Sequence, residues 1–442
     1  MIISSDSVLR DNLYRPTPIS DIPPASGAGR PAPVGDLLPQ GNPVTPRPSH
    51  YPGLDGLRAL AIIAVVGHNL SLLDSPDSAL GKVVGWSLDR GWIGVQLFFV
   101  LSGFLITGIL LDSGKAPNYF KSFFARRSLR IFPIYFLTLA CVFLLLPALG
   151  AIPAALVPTP SEQLPFWFYL SNWTQPFAFS GGDVAHFWSL AVEEQFYLVL
   201  PFVLRGRSAR STLTLLSAVA VASLAIRLAM LGLHASHEQI YMSSVCRMDA
   251  LALGGALAAA WRIPRLAQWL AANGGTLLWS AALLLIAGAL VTRGYPRISA
   301  LGQSIGYTIL ALSLTGVVGA VVAADTHGAV VAADTHGAGG VPTWLRHPGL
   351  RLVGKYSYAI YVFHRPVSDL LGSRYLVPLL PRAHTALAPT LIYLATAFAA
   401  CFALAAVSWR FIEQPCLALK KRFAAEDSPA ATPLPGVAGT AP

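Results

Sequence analysis

Two adjacent glutamates, Glu193 and Glu194, sit inside HFWSLAVEEQFYLVLP (residues 186–201), a stretch whose other residues largely suit hydrocarbon. A carboxylate at the centre of a bilayer costs at least about 2.5 kcal/mol even on the most lenient insertion scale, so an ionisable residue at that depth is first of all a functional-site candidate. Neighbours on a helix lie about 100° apart. Glu193 therefore shares a face with Ser189 and Tyr197, whereas Glu194 shares one with Leu190 and lies beside Tyr197. One glutamate can orient or charge-balance a histidine while the other binds a hydroxyl or an arginine. The competing structural reading is a buried ion pair with Arg247 or Arg130.

Further ionisable residues interrupt apolar runs. Arg58 and His68 belong to GLDGLRALAIIAVVGHN, and His68 lies deep past an arginine at the cytoplasmic end. An imidazole can take or give a proton near neutral pH, which makes His68 the leading general base over a helix-packing role. Arg126, Arg127 and Arg130 precede IFPIYF at a membrane boundary. Guanidinium forks suit phosphate, although topology anchoring and lipid head-group contact explain such a cluster equally simply. Arg247 and Asp249 open another apolar run in CRMDALALGG. His364 ends YSYAIYVFH with Tyr361 and Tyr358 on its face, as a site residue or an interfacial anchor.

These residues need a membrane scaffold to hold them. The 442-residue chain is 54% hydrophobic and only 12% charged, against about 25% charged in soluble domains, and its mean hydropathy is +0.57. The net charge of +10 is scattered between apolar runs without a basic stripe, which excludes a nucleic-acid surface. Spans of about 20 apolar residues fall near 57–73, 92–111, 131–149, 187–204, 213–233, 250–261, 277–291, 301–323, 356–371 and 386–409. The expectation is an all-α polytopic membrane protein of about ten transmembrane helices. Basic residues follow every even span, so both termini are expected in the cytoplasm; Arg293 and Arg297 are exceptions on an odd loop.

Residues 1–50 and 425–442, rich in Pro, Gly and small residues, are expected to be disordered tails around a membrane domain at 51–424. Cys141, Cys246, Cys401 and Cys416 lie far apart and lack metal-ligand spacing. VVAADTHGA occurs at 321–329 and again at 330–338. A duplicated loop insertion is the simpler account of it, in preference to metal binding by His327 and His336. No metal site is expected.

Eight blocks in order carry a resemblance: LDGLRALA, GWIGVQLFFVLSGFLITGILL, FFARRSLRIFPIYFL, FYLSNW, HFWSLAVEEQFYLVLP, RMDALALGGALA, YSYAIYVFH and FIEQP. The chain resembles the acyltransferase-3 family of integral membrane acyltransferases over about residues 51–417. That resemblance implies ten transmembrane helices in a bacterial cytoplasmic (inner) membrane. It implies transfer of an acyl group, commonly acetyl, from cytoplasmic acyl-coenzyme A, a co-substrate, to a hydroxyl of a surface glycan or lipid-linked glycan. His68 would be the catalytic histidine, with Glu193 and Glu194 beside it. Arg127 and Arg130, with Arg58 and Arg126, would hold the donor's phosphates. Ser189, Tyr197, Trp188, Gln96, Ser102, Arg247, Asp249 and His364 would line the pocket.

Two departures from the family pattern bear on this. Nine residues separate Arg58 from His68 where ten are usual, which turns them about 80° apart on a straight helix unless a bulge restores the alignment. Gln96 stands where many members carry a carboxylate, so an amide or another carboxylate would have to support the histidine. The long odd loop near 150–186, with Trp167, Trp173 and Phe177, suits sugar stacking or an interfacial belt. A proton-coupled transporter or lipid-linked-glycan flippase is the alternative, and acyl-coenzyme-A-dependent ester formation separates the two.

Overall fold

The computed structural model describes residues 50–151, 158–176, 182–331, 342–382 and 384–424. Apart from His50, the two expected tails lie outside the described residues. Among the described residues there is no β-strand, and ten helices have 17 residues or more. In chain order they are α1 (Pro52–Leu70), α2 (Ile93–Asp112), α3 (Tyr119–Ala140), α4 (Trp188–Leu204) and α5 (Ala209–Gly232). They continue with α6 (Ser244–Ala260), α7 (Gly274–Thr292), α8 (Tyr307–Val331), α9 (Pro348–Val367) and α10 (Leu387–Ser408). Each overlaps an expected span. Among the described residues eight helical stretches are long and apolar enough to cross a membrane; α6 and α9 are not among them. The reasons are length and charge: α6 has only 17 residues, and α9 carries Arg351, Lys355 and Arg365.

Two boundaries differ from expectation. Helix α3 begins at Tyr119, well before the expected apolar start at 131. Its first half, FKSFFARRSLR, is polar on one face because Arg127 and Arg130 point into the protein instead of marking a loop. The first VVAADTHGA copy is not a loop insertion either, since α8 runs through Val331. Asp325 accepts a hydrogen bond from the Gly53 amide at 2.8 Å and pairs with Arg346 at 2.9 Å, so this copy anchors the N-terminus of α1, where a carboxylate also suits the helix dipole. The side chain of His327, and residues 332–338 with His336, lie outside what is described.

Helices α2 and α6 cross where Gly103 faces the Leu251 carbonyl and Gly254 faces the Val100 carbonyl, so close that a Cβ on either glycine would overlap the partner backbone. Small residues at such crossings let membrane helices gain dispersion contact that lipid cannot match. A buried ion pair ties the same α6 to α5. Arg227 and Asp249 lie 2.8 Å apart with at most 1% exposure. Arg227 also donates to the Cys246 carbonyl at 2.5 Å and to Thr308, and Thr308 donates to Asp249 at 2.9 Å. Removing one partner of such a pair leaves an uncompensated buried charge, which costs about 3–5 kcal/mol.

Asp249→Ala and Gly254→Val are therefore each expected to lower the thermal midpoint of the detergent-solubilised protein and its yield in membranes. Gly275→Ala, at a glycine whose added Cβ would meet nothing within 4 Å, is expected to change neither. Fluorescence-detected thermal unfolding of the three variants checks this, and a wild-type midpoint for Asp249→Ala would contradict the ion-pair argument.

Candidate active site

Three cavities adjoin one another in series along α1. The first, about 450 Å³, surrounds the start of α1 and is lined by Tyr51, Asp55, Arg58, Phe104, Trp261 and Arg262 among others. The second is narrow, about 90 Å³, and lined by Arg58, Arg127, Arg130, Glu193, Glu194, Ser102, Ser189, Tyr358 and Tyr361 together with Val95 and Phe98. The third, about 310 Å³, lies at the far end of α1 and is lined by His68, Asn69, Trp92, Trp188, His186, Tyr241, Arg297 and Arg365, again with Val95 and Tyr361. Arg58 and Leu105 belong to the first and second. Val95 and Tyr361 belong to the second and third.

The middle chamber concentrates charge. Ser102 Oγ donates to Glu193 Oε1 at 3.0 Å, and the Tyr197 hydroxyl donates to Glu193 Oε2 at 3.0 Å. Both oxygens of this carboxylate are thus engaged by hydroxyls from α2 and from its own helix. The Arg127 guanidinium stacks on the Tyr197 ring at 3.9 Å, within the field of both glutamates. Arg58, Arg127 and Arg130 also act on one another as like charges, and Arg127 Nε has no hydrogen-bond partner among the described residues. A cluster of mutually repelling guanidiniums with a spare donor suits an anion, and its forks suit phosphate. Glu413, from the FIEQP block, lies in the field of Arg130 and Lys355.

His68 is held differently. Its Nδ1 lies 3.2 Å from the Leu88 carbonyl. A carbonyl only accepts, so Nδ1 carries the proton and Nε2 keeps the lone pair of the neutral ring. Gly91 lies so close to α1 that a Cβ there would meet the Ala64 carbonyl and His68 Cβ, which brings the helix ending at Asp89, and with it Leu88, up to the histidine.

Several expectations are corrected. Glu193 and Glu194 do not flank His68; they line the middle chamber and His68 the outer one. Helix α1 is an unbroken α-helix, so no bulge realigns Arg58 with His68, and a ten-residue step separates them by about 15 Å along the axis. Arg126 is exposed, one residue and about 100° away from the face that Arg127 turns into the chamber. Gln96 does not support His68, whose Nδ1 bonds to the Leu88 carbonyl. Instead Gln96 accepts a hydrogen bond from Arg247 at 2.6 Å. Arg247 is caged by Trp92, Phe99, Tyr241 and Tyr307, 4.5 to 5.8 Å from the ring centroids, and so backs the outer chamber without lining it. Asp249 belongs to the Arg227 pair.

His364 is fully buried and is no interfacial anchor; its ring lies 4.4 Å from that of His186. Asn172 of the NWT sequon is likewise buried and bonds to Ser244 at 2.9 Å. Trp173, half-exposed, donates to Gln195 at 3.2 Å, and Trp167 stacks on Phe136; Phe177 lies outside the described residues. Outer-chamber residues that sequence reasoning does not single out include His186, Arg297 and Arg365. His186 opens the EEQ block, and Arg297 shows itself in the sequence only as a basic residue on the wrong side of the positive-inside pattern. That exception is its signal, because an arginine that lines a cavity and pairs with Glu238 at 3.1 Å does not obey a rule about loop charge.

The family described as "Acyltransferase domain" matches residues 51–409. The O-acetyltransferase OatA of Staphylococcus aureus (strain NCTC 8325 / PS 47) is 27% identical over 392 residues, covering 83% of this chain and 57% of its own. The peptidoglycan O-acetyltransferase OatA of Listeria monocytogenes serovar 1/2a is 28% identical over 393 residues, covering 83% of this chain and 56% of its own. The chain thus spans a little over half the length of these curated relatives. No solved structure matches it. With the match extending through all ten helices and every charged residue that lines the middle chamber, the chain belongs to the acyltransferase-3 family.

Proposed function

We propose that this protein is a multi-pass O-acetyltransferase of a bacterial cytoplasmic membrane, moving an acetyl group from cytosolic acetyl-coenzyme A to a hydroxyl of a glycan on the opposite face. The observation that carries the reading is the series of cavities along α1, with Arg58, Arg127 and Arg130 lining those near its start and His68 the one near its end. Family membership and the printed activity of the relatives support the reaction class.

Arg58, Arg127 and Arg130 hold the donor's phosphates, and the extended pantetheine arm carries the thioester through the middle chamber. His68 Nε2, left as acceptor by the Nδ1 bond to Leu88, removes the proton from the acceptor hydroxyl. The alkoxide oxygen attacks the thioester carbonyl, forming the new C–O bond. Collapse of the tetrahedral intermediate breaks the C–S bond, and the departing thiolate takes the proton back from the imidazolium. Arg297, in the same cavity, is placed to stabilise the oxyanion. Trp92, Trp188 and Tyr241 offer apolar faces to sugar rings. Glu193 and Glu194 keep the arginines in place, so the proton-transfer step runs without them.

In a host lacking the protein, complementation with the wild type is expected to add an alkali-labile acetyl mass to surface or lipid-linked glycans. His68→Ala, at equal abundance in the membrane, is expected to abolish it. Glycan export without any ester would move the transporter reading ahead.

The donor site has its own signature. Arg130→Gln is expected to raise KM for acetyl-coenzyme A on the order of 10–100-fold, the loss of about 1.5–3 kcal/mol for a hydrogen bond to a charged group, with a smaller effect on kcat. Arg126→Gln should leave both close to wild type. Initial rates in membrane vesicles decide it, and equal effects of the two substitutions would remove the phosphate role.

A further inference from the structure

Resting on the acyl-transfer reading, we propose that Val95 and Tyr361 form a rigid throat that sets the length of the acyl group, admitting acetyl and rejecting longer chains. The acyl carbon must meet a donor held in the middle chamber and a hydroxyl deprotonated by His68 in the outer one. Val95 and Tyr361 are the two residues that line both, so the reacting carbonyl and its alkyl tail lie against them.

Neither wall can retreat. The Tyr361 hydroxyl and Ser189 Oγ lie 2.5 Å apart, and both are within hydrogen-bond distance of the His186 carbonyl, at 3.1 and 3.2 Å. The Tyr361 ring is packed edge-on by Phe98 at 6.2 Å and by His186 at 5.3 Å. Val95 is β-branched and has essentially one rotamer in a helix. Its backbone is fixed too, because the neighbouring Gly94 already faces the Ala61 carbonyl so closely that a Cβ would overlap it. An acetyl group presents a single methyl beyond its carbonyl to these walls. A propionyl group needs one methylene more, which two immobile walls do not yield.

One methylene in an apolar pocket discriminates by roughly 10–200-fold. The test uses membrane vesicles of the acetylating host carrying the full chain, supplied with equal acetyl- and propionyl-coenzyme A. The readout is the ratio of alkali-labile propionyl to acetyl ester on the glycan fraction by mass spectrometry, which does not depend on protein amount. Val95→Ala is expected to raise that ratio on the order of tenfold. Val95→Ile, which adds a single methylene at the same place, is expected to lower it below wild type. Esters formed at the wild-type ratio by either variant overturn the throat. If the wild type forms no ester from either donor, the acyl-transfer reading itself fails, and the throat with it.

Discussion

Charge burial is the constraint on which this structure depends. A bilayer helix cannot leave a guanidinium or carboxylate facing hydrocarbon without a cost of several kcal/mol, and this chain places many there. The solution is mutual compensation inside the bundle. Glu193 is satisfied by Ser102 and Tyr197, Arg127 by Tyr197 and the two glutamates, and Arg227 by Asp249. Each compensating group comes from a different helix or a different turn, so the charges also dictate which helices touch. The packing follows: α6 is wedged between α2 and α5, with glycines on one side and an ion pair on the other.

Compensation is incomplete in one place only among the residues described for the middle chamber. Three arginines outnumber the two glutamates that line it with them, and Arg127 Nε has no hydrogen-bond partner among the described residues. Buried polar groups in native structures are nearly always satisfied, so a residual cationic field beside an open cavity is the physical mark of a site for an anionic ligand. The same reasoning separates the two roles that adjacent ionisable residues invite. The glutamates neutralise and hold the arginines, whereas the histidine, anchored by a neutral carbonyl, keeps a lone pair free for proton transfer.

Much of the fold is legible in the sequence, because hydrocarbon imposes length and apolarity on each span. The ten expected segments correspond to α1–α10. Misjudged boundaries come from residues serving the interior: Arg127 and Arg130 read as the end of a loop because polarity on one helix face looks like a loop when the face is unknown. Single-residue candidates are found by type, but their grouping is not. Glu193 and His68 both interrupt apolar runs, yet only the relative depth of α1 and α4 places them in different chambers. Asp249 looks like a site residue because its partner Arg227 lies inside LAIRLAML on the preceding helix, and sequence alone does not show that the two faces meet. Leu88 cannot be identified at all, since a backbone carbonyl has no sequence signature.

Separation of the chambers follows from the same constraint and explains the direction of the chemistry. A single wide cavity joining both faces would hydrate the bundle and let ions across. A series of cavities, smallest in the middle, keeps Arg58 and His68 apart by roughly three helical turns, about 15 Å along α1. Under the proposed function a long, thin donor spans that distance, its phosphates remaining with Arg58, Arg127 and Arg130 while an uncharged thioester advances to the histidine. The narrow partition that protects the membrane barrier is therefore the place where the reacting carbonyl has to stop, and the side chains lining it act on its size.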